Sequence, residues 1–361
     1  MGQDVRDDSR VCRKPPSPRQ DLHWHLRPRT RIMAVSLTFI LTTAGLVWIL
    51  TPPLPIVIPI PPPPPPPIGV ITIDGDANFS ATALLEGWPG NGTPGNPYII
   101  NGLEIGFSNG ANHCIMISNT HVSFTISNCK LTDFGAAGIY LGNVTNGEIV
   151  NNNCNNNKDG IFLDRSDHNT VENNTCNNKR RGIRIWESHS NTVVNNTCND
   201  NHKGIELHHS HSNTVVNNTC NDNHRGIGLS TSHSNTITNN TCSRNTDYGI
   251  SLIHGSESNI VTDNACNSND IGIKIQESSY NTISTNICNA NRIGIYLSYG
   301  CLASNIIADN TFLGNTERDI LEELPPQDEE FDPGFLLPIG LAGIIMLGAA
   351  WRMLSGIRKF D

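Results

Sequence analysis

Aromatic residues make up only 6% of the 361 residues, charged residues 16% and hydrophobic residues 37%. That is too little apolar mass for an ordinary thick-cored globular domain. The middle of the chain has few Lys or Glu and much Asn, a poor helix former, which argues against a helical solenoid. The Leu/Asn pattern of leucine-rich repeats is missing as well. With 24 basic against 33 acidic residues the net charge is −9, so nothing in the composition points to a nucleic-acid partner. What the middle does contain is Asn, Gly and Ser, the residues of turns, set at a fixed interval.

From about Ile99 the sequence repeats. Gly182 to Lys203 reads GIRIWESHSNTVVNNTCNDNHK and Gly204 to Arg225 reads GIELHHSHSNTVVNNTCNDNHR, a period of 22. Cys154, Cys176, Cys198, Cys220, Cys242, Cys266 and Cys288 follow one another at steps of 22, 22, 22, 22, 24 and 22. A period of this length marks a solenoid. In each copy two aliphatic residues, such as Ile183 and Ile185 or Ile205 and Leu207, alternate with polar ones, which is the period of a strand. A second run, NTVVNNTC, points Val193, Asn196 and Cys198 one way and Val194 and Thr197 the other. Each unit therefore predicts one coil of short strands and turns, stacked on the next in parallel about 4.8 Å away. The expected fold is an all-β solenoid, a parallel β-helix over 99–315 with 69–98 as lead-in and cap. By that spacing its nine or ten coils extend about 45 Å.

Stacking places like residues above one another. One inward column reads Asn152, Asn174, Asn196, Asn218, Asn240, Asn264, Asn286 and Asn310, with Cys129 in the same slot one coil earlier. A second reads Asn169, Asn191, Asn213, Asn235, Asn259, Asn281 and Asn305. Stacked amides can satisfy one another along such a ladder. The Cys column runs from Leu131 to Phe312, which marks its slot as apolar core where Cys serves as a small hydrophobe. Disulfides between coils and a thiolate metal ladder are the alternatives.

Two apolar stretches bracket the repeats. Ile32 to Leu50 carries no charge over 19 residues and follows Arg27, Arg29 and Arg31. At about 1.5 Å per residue a helix of that length spans a hydrocarbon core. Phe335 to Trp351 is the second stretch, followed by Arg352, Arg358 and Lys359. The positive-inside rule then puts both termini in the cytoplasm and the repeats outside, with the lipid membrane as a partner. Thr-Pro-Pro follows the first stretch in place of a small-residue cleavage site, so that stretch reads as an uncleaved anchor. Pro52 to Pro67, with seven consecutive prolines from Pro61, reads as a polyproline II stalk. The expected order is a basic cytoplasmic tail (1–31), a transmembrane anchor (32–51), the stalk (52–68), the cap and β-helix, an acidic spacer (316–333), a transmembrane helix (334–351) and a cytoplasmic tail (352–361).

The GIxL…SxxNTVxNNTC unit resembles the right-handed parallel β-helix repeats of the NosD-like family, over about Ile99 to Asn315. The stretch from Trp88 through Pro-Gly-Asn-Gly-Thr-Pro-Gly-Asn-Pro-Tyr-Ile-Ile is similar to the lead-in to the first coil in such proteins. The resemblance implies a right-handed β-helix. For function it implies carbohydrate binding or processing, or a periplasmic role in supplying copper to nitrous oxide reductase. A fold of this kind hosts many activities, so site residues must decide among them.

Three sets of residues are candidates. Asp167, His189, His211, His233, Glu257 and Ser279 share a column, and imidazoles about 4.8 Å apart between carboxylates suggest a copper or zinc ion held by His189, His211 and His233. The competing reading is that SHSN is a turn sequence copied by duplication. Arg181, Lys203 and Arg225 form a basic row suited to an anionic sugar or phosphate, against the plainer reading of a solvated face. Asn173, Asn195, Asn217 and Asn239 open Asn-x-Thr sequons and are candidates for glycosylation. Catalytic signals are poor. Asp159, Asp164 and Asp167 are split over two turns, and Asn245-Thr246-Asp247 lies in an ordinary inter-coil turn with no matching paired Asp or Gly-His-Gly. No catalytic residue is assigned. The expected function is a membrane-anchored extracytoplasmic module that binds or scaffolds carbohydrate or a surface protein. A polysaccharide-processing enzyme and a copper-handling accessory protein are the alternatives.

Overall fold

The computed structural model describes residues 69–324, less 107–112, 133–134 and 178–179, together with two short backbone segments near the N-terminus. The chain divides into a unit of residues 1–64 and a unit of residues 65–361.

In the second unit each repeat makes a three-sided coil. Arg181–Trp186 forms one side, with Ile183 and Ile185 fully buried. Thr192–Val194 forms the next and buries Val193. The third side is a single residue, Thr197, bridged in parallel to Thr175 on one side and Thr219 on the other. Between sides the backbone enters the left-handed region, at Glu187 (φ 47°), Ser190 (55°), Asn195 (57°) and Asp200 (60°). Asn and Asp reach that region at little cost, which is one physical reason for their abundance here. Each corner also gives its N–H to the next coil, Glu187 to the His208 carbonyl at 2.9 Å and Asn195 to that of Val216 at 3.1 Å.

Stacking of these sides gives the parallel β-helix that the period predicts. The long strands build an eleven-stranded sheet from Ile71–Asp74 to Arg318–Glu322, and the short ones a ten-stranded sheet from Tyr98–Asn101 to Ile306–Ala308. Register follows the repeat, with Ile183 opposite Ile205 and Val193 opposite Val215. Because Arg318–Glu322 pairs with Ile293–Leu297, the solenoid continues past the boundary expected at 315 into the acidic spacer.

Both Asn columns are ladders. Asn196 Nδ2 donates to Asn218 Oδ1 at 3.0 Å and to the Val171 carbonyl at 2.8 Å. Asn196 Oδ1 in turn accepts from the backbone N–H of Asn174 at 2.9 Å and from Asn174 Nδ2 at 3.0 Å. Every group of the buried amide is thus paired. Ser166, Ser188, Ser210, Ser232 and Ser256 form a further ladder, each hydroxyl accepting the backbone N–H one coil before it or offering that service to its neighbour, as Ser210 does for Ser188 at 3.2 Å. The ten described cysteines are buried and form no disulfide with one another. Gly182 is required by this packing: a Cβ there would meet the Gly204 carbonyl oxygen at 2.6 Å and Cys198 Cβ at 2.7 Å.

The lead-in contains a helix, Asp76–Glu86, that closes the open end of the core. Its Phe79 is fully buried and packs on Tyr98 and Phe124, with ring centroids 5.1 and 5.2 Å away. Asp76 anchors the helix by accepting from Thr120 Oγ1 at 2.6 Å and the His121 N–H at 2.9 Å. These bonds hold its carboxyl below the ordinary carboxylate range. At the other end Arg318, Asp319 and Glu322 charge the last strand, which discourages edge-to-edge pairing.

In the first unit two short backbone segments are described. Within the stretch expected to be a transmembrane helix (32–51), Thr38–Thr42 and Gly45–Ile49 pair as an antiparallel hairpin, Thr38 opposite Ile49. The β-branched and aromatic residues in TFILT and GLVWI suit a pleated strand. Among the described residues no helix is long and apolar enough to cross a membrane. The proline stalk, the 334–351 segment and both tails lie outside the described residues.

Candidate functional site

The outer face of the eleven-stranded sheet gathers the chemistry. Strict register aligns three outward columns on it. The first holds Arg181, Lys203 and Arg225 side by side. They are not three free cations. Arg181 lies against Asp159, with Nη1 3.3 Å from Oδ1, and is also ion-paired with Glu206; Lys203 pairs with the same Glu206. Burial alone would raise the Glu206 carboxyl, but Lys203 and Arg181 overcome it and hold it below the usual range. A carboxylate clamped this way is an anchor and a poor proton acceptor. Arg225 gives its Nε–H to Asp247 at 3.0 Å and lies over the Tyr248 ring, 4.9 Å from its centroid.

The second column reads Tyr140, Phe162, Arg184, Glu206, Gly228, Ser251, Lys274 and Tyr296. The third reads Gly142, Asp164, Trp186, His208, Ser230, Ile253 and Gln276. Arg184 is sandwiched, 4.4 Å above Phe162 and 4.6 Å above Trp186. The His208 ring stacks on the indole of Trp186, centroids 4.0 Å apart and planes 2° from parallel. Burial lowers the His208 pKa, and neighbouring His209 lowers it further, so the ring is neutral at pH 7. Beyond His208 the side chains become small, and a groove of about 430 Å³ opens there. Sequence reasoning found the first column and missed the other two.

The histidine column is a stack. His189 and His211 lie with centroids 5.0 Å apart and planes 6° from parallel, and His211 and His233 at 4.8 Å and 7°. Each Nδ1 accepts the backbone N–H of the next column residue, at 3.1 Å from His211 and 3.0 Å from His233. Asp167 does the same for His189 at 2.6 Å. The four sequon residues Asn173, Asn195, Asn217 and Asn239 are exposed corner residues with φ of 54° to 57°. The three aspartates do not converge: Asp159 is buried on Arg181, Asp164 accepts the Tyr140 hydroxyl at 2.8 Å, and Asp167 caps His189.

The family model for periplasmic copper-binding protein (NosD) matches residues 99–219 and 185–322, together more than half of the chain. The chain belongs to the NosD family. Among curated proteins none matches. Of solved structures, the A-module of a mannuronan C-5 epimerase from Azotobacter vinelandii is similar at 14% identity, over 72% of this chain and 98% of that one, with a TM-score of 0.52. A periplasmic alginate epimerase is similar at 15% identity over 73% and 74% of the two chains, TM-score 0.45. A surface adhesin of Streptococcus pneumoniae is similar at 11% over 63% and 84%, TM-score 0.44. At such identities the likeness is one of fold.

The copper in the NosD description does not fit the residues described. Parallel imidazoles cannot converge their lone pairs on one ion at about 2.0–2.1 Å, and each Nδ1 lone pair is already engaged by an amide. The cysteine column offers soft atoms, but they are enclosed in the apolar core, each buried among the aliphatic residues of its coil. Among the described residues no group of three His, Cys, Asp or Glu is placed to hold a metal.

Proposed function

We propose that this NosD-family chain is an extracytoplasmic binding module that holds a glycan on the outer face of its eleven-stranded sheet. The observation that carries the reading is the alignment of Arg181, Lys203 and Arg225 along one edge of the groove, in a chain whose net charge is −9. Asp159, Glu206 and Asp247 balance much of that charge, and Arg225, which gives Asp247 only its Nε–H, is the member of the row best placed to meet an anionic ligand. The family's periplasmic description supports a location outside the cytoplasm, and the apolar segment 334–351 with its basic flank would tether the chain to the membrane. The fold likeness to a polysaccharide epimerase makes processing the second reading, favoured by one observation, the neutral His208 at the groove wall.

The test is to incubate the full chain with immobilised acidic and neutral polysaccharides and to score both retention and chain cleavage. Retention of acidic polymers without cleavage, weakened by Arg225→Ala, is the expected result. Cleavage or epimerised product would replace the binding reading with an enzymatic one, and absence of retention on every polymer would end both.

A further inference from the structure

The groove is a built notch. In the second column every described residue from Tyr140 to Tyr296 is large except two neighbours, Gly228 and Ser251. In the third column Ser230 lies between His208 and Ile253. The three small residues meet at one place on the sheet, and the cavity of about 430 Å³ lies over them.

Gly228 is small for a reason other than packing. The glycines at the start of the strands are crowded, since a Cβ on Gly204 or Gly226 would meet a carbonyl oxygen at 2.7 or 2.3 Å. A Cβ on Gly228 would meet only Ser251 Oγ, at 3.4 Å, and its backbone does not need positive φ. The fold tolerates a side chain there, and what the glycine supplies is the space.

The repeat is also broken beside this space. The step from Asn223 to Asn245 is 22, from Ile227 to Ile250 it is 23, and from Thr236 to Ile260 it is 24. One residue has therefore been added at each corner flanking the strand Tyr248–Ile253, which forms the far wall of the notch. Exact 22-residue duplication, which accounts for the spacing of the coils from Asn152 to Asn240, does not account for these two added residues.

The walls define the ligand. On one side the free face of His208 continues the Phe162, Arg184, Trp186 stack, and its Nδ1 is buried with no hydrogen-bond partner among the described residues. On the other side stands Ile253, two coils on and so about 9.6 Å from the His208 level. A flat six-membered sugar ring fits that interval, with one apolar face on the imidazole and the other on the isoleucine. Of the ionised side chains lining the notch, three are cations, Arg181, Lys203 and Arg225, and one is an anion, Glu206. Arg225 commits only its Nε–H to Asp247, leaving its two terminal nitrogens for an oxyanion.

Resting on the glycan-binding reading above, we infer that the notch between His208 and Ile253 is a subsite for a single uronate ring, its carboxylate directed at Arg225 and Lys203.

The test uses the full chain and titrates it calorimetrically with tetramers of galacturonate, mannuronate and guluronate, and with their methyl esters, which keep the ring and remove the charge. The expected result is binding of at least one uronate tetramer at least tenfold more tightly than its ester, lost at least tenfold in Gly228→Leu and Ser230→Phe, which fill the notch at unchanged thermal midpoint. His208→Ala leaves the notch open and is expected to weaken binding by a smaller factor, which keeps the assignment testable where a filling variant fails to fold. If a uronate binds but all three variants bind it equally, the notch is the wrong place and the binding-module reading stands. If the ester binds as tightly as the acid, the carboxylate assignment is wrong. If no tetramer binds and the polysaccharides are not retained either, the module reading itself falls.

Discussion

Asn196 and Asn218 are joined coil to coil by a single shared atom: Asn218 Oδ1 accepts both the side-chain N–H of Asn196, at 3.0 Å, and its backbone N–H, at 2.9 Å. The ladder is a chain of such shared acceptors. Replacing Asn196 by Ala removes an acceptor from Asn174 and a donor from the Val171 carbonyl, all in a region closed to water. Leaving several buried groups unpaired costs about 2–4 kcal/mol. Urea unfolding of Asn196→Ala is expected to show that loss, whereas exposed Asn195→Ala is expected to cost about 1 kcal/mol, the penalty for Ala in a left-handed corner.

Glycines on the same sheet are expected to separate sharply. Gly182→Ala forces a methyl to within 2.6 Å of the Gly204 carbonyl oxygen, so the coils must part or shift. A loss of about 1–3 kcal/mol follows from such overpacking. Gly228→Ala meets no such obstacle and is expected to stay within about 0.5 kcal/mol of the parent. Thermal melts of the two variants decide it.

Acid is expected to loosen the histidine stack. Burial lowers the His211 pKa below 6.5, with His233 and His189 adding to the effect. The folded chain therefore binds fewer protons than the unfolded one just below that pH, so stability from this group is complete above 6.5 and is lost as pH falls beneath it. Protonation would also remove the Nδ1 lone pair that accepts the His233 N–H at 3.0 Å. Unfolding midpoints measured from pH 7.5 to 5.0 should fall, and His211→Gln should flatten the slope.

The cysteines should be silent until the coils open. All ten that are described are buried and form no disulfide with one another. A thiol-specific reagent followed by peptide mass spectrometry is expected to leave them unlabelled in the native chain and to label them all in denaturant. Labelling of Cys198 or Cys220 under native conditions would mean that the core is open to solvent there.

Glycosylation, where it occurs, should skip coils. Asn173, Asn195, Asn217 and Asn239 occupy the same corner of successive coils, about 4.8 Å apart, which is narrower than a sugar ring with its substituents. Intact-mass measurement before and after deglycosylation is expected to show no more than two of the four modified in one molecule.

The sequence was most legible where the repeat was strict. The 22-residue step, the alternation at Ile183 and Ile185 and the Asn columns are consequences of one short unit, and each has its place in the coil. The cap helix Asp76–Glu86 escaped notice because its buried contacts are few, Phe79 and Ala83, and its partners lie in later coils. The candidate site was half legible. Arg181, Lys203 and Arg225 could be aligned by counting, but their partners Asp159, Glu206 and Asp247 are cross-strand neighbours that only the register reveals. The notch was hidden for a different reason: it consists of what is absent, and Gly228, Ser230 and Ser251 each look like ordinary turn residues in the linear sequence. The 24-residue step from Cys242 to Cys266 was the available signal.

Closure of one end by Phe79 and exposure of the strand Arg318–Glu322 at the other make the solenoid a one-way spool. Pulled by its ends, the described solenoid should unwind from the C-terminal rung, which among the described residues has one neighbouring coil and no capping helix. Each coil released pays out 22 to 25 residues, about 75–85 Å of contour at full extension, so a force trace would show a run of similar teeth that ends when the helix tears away.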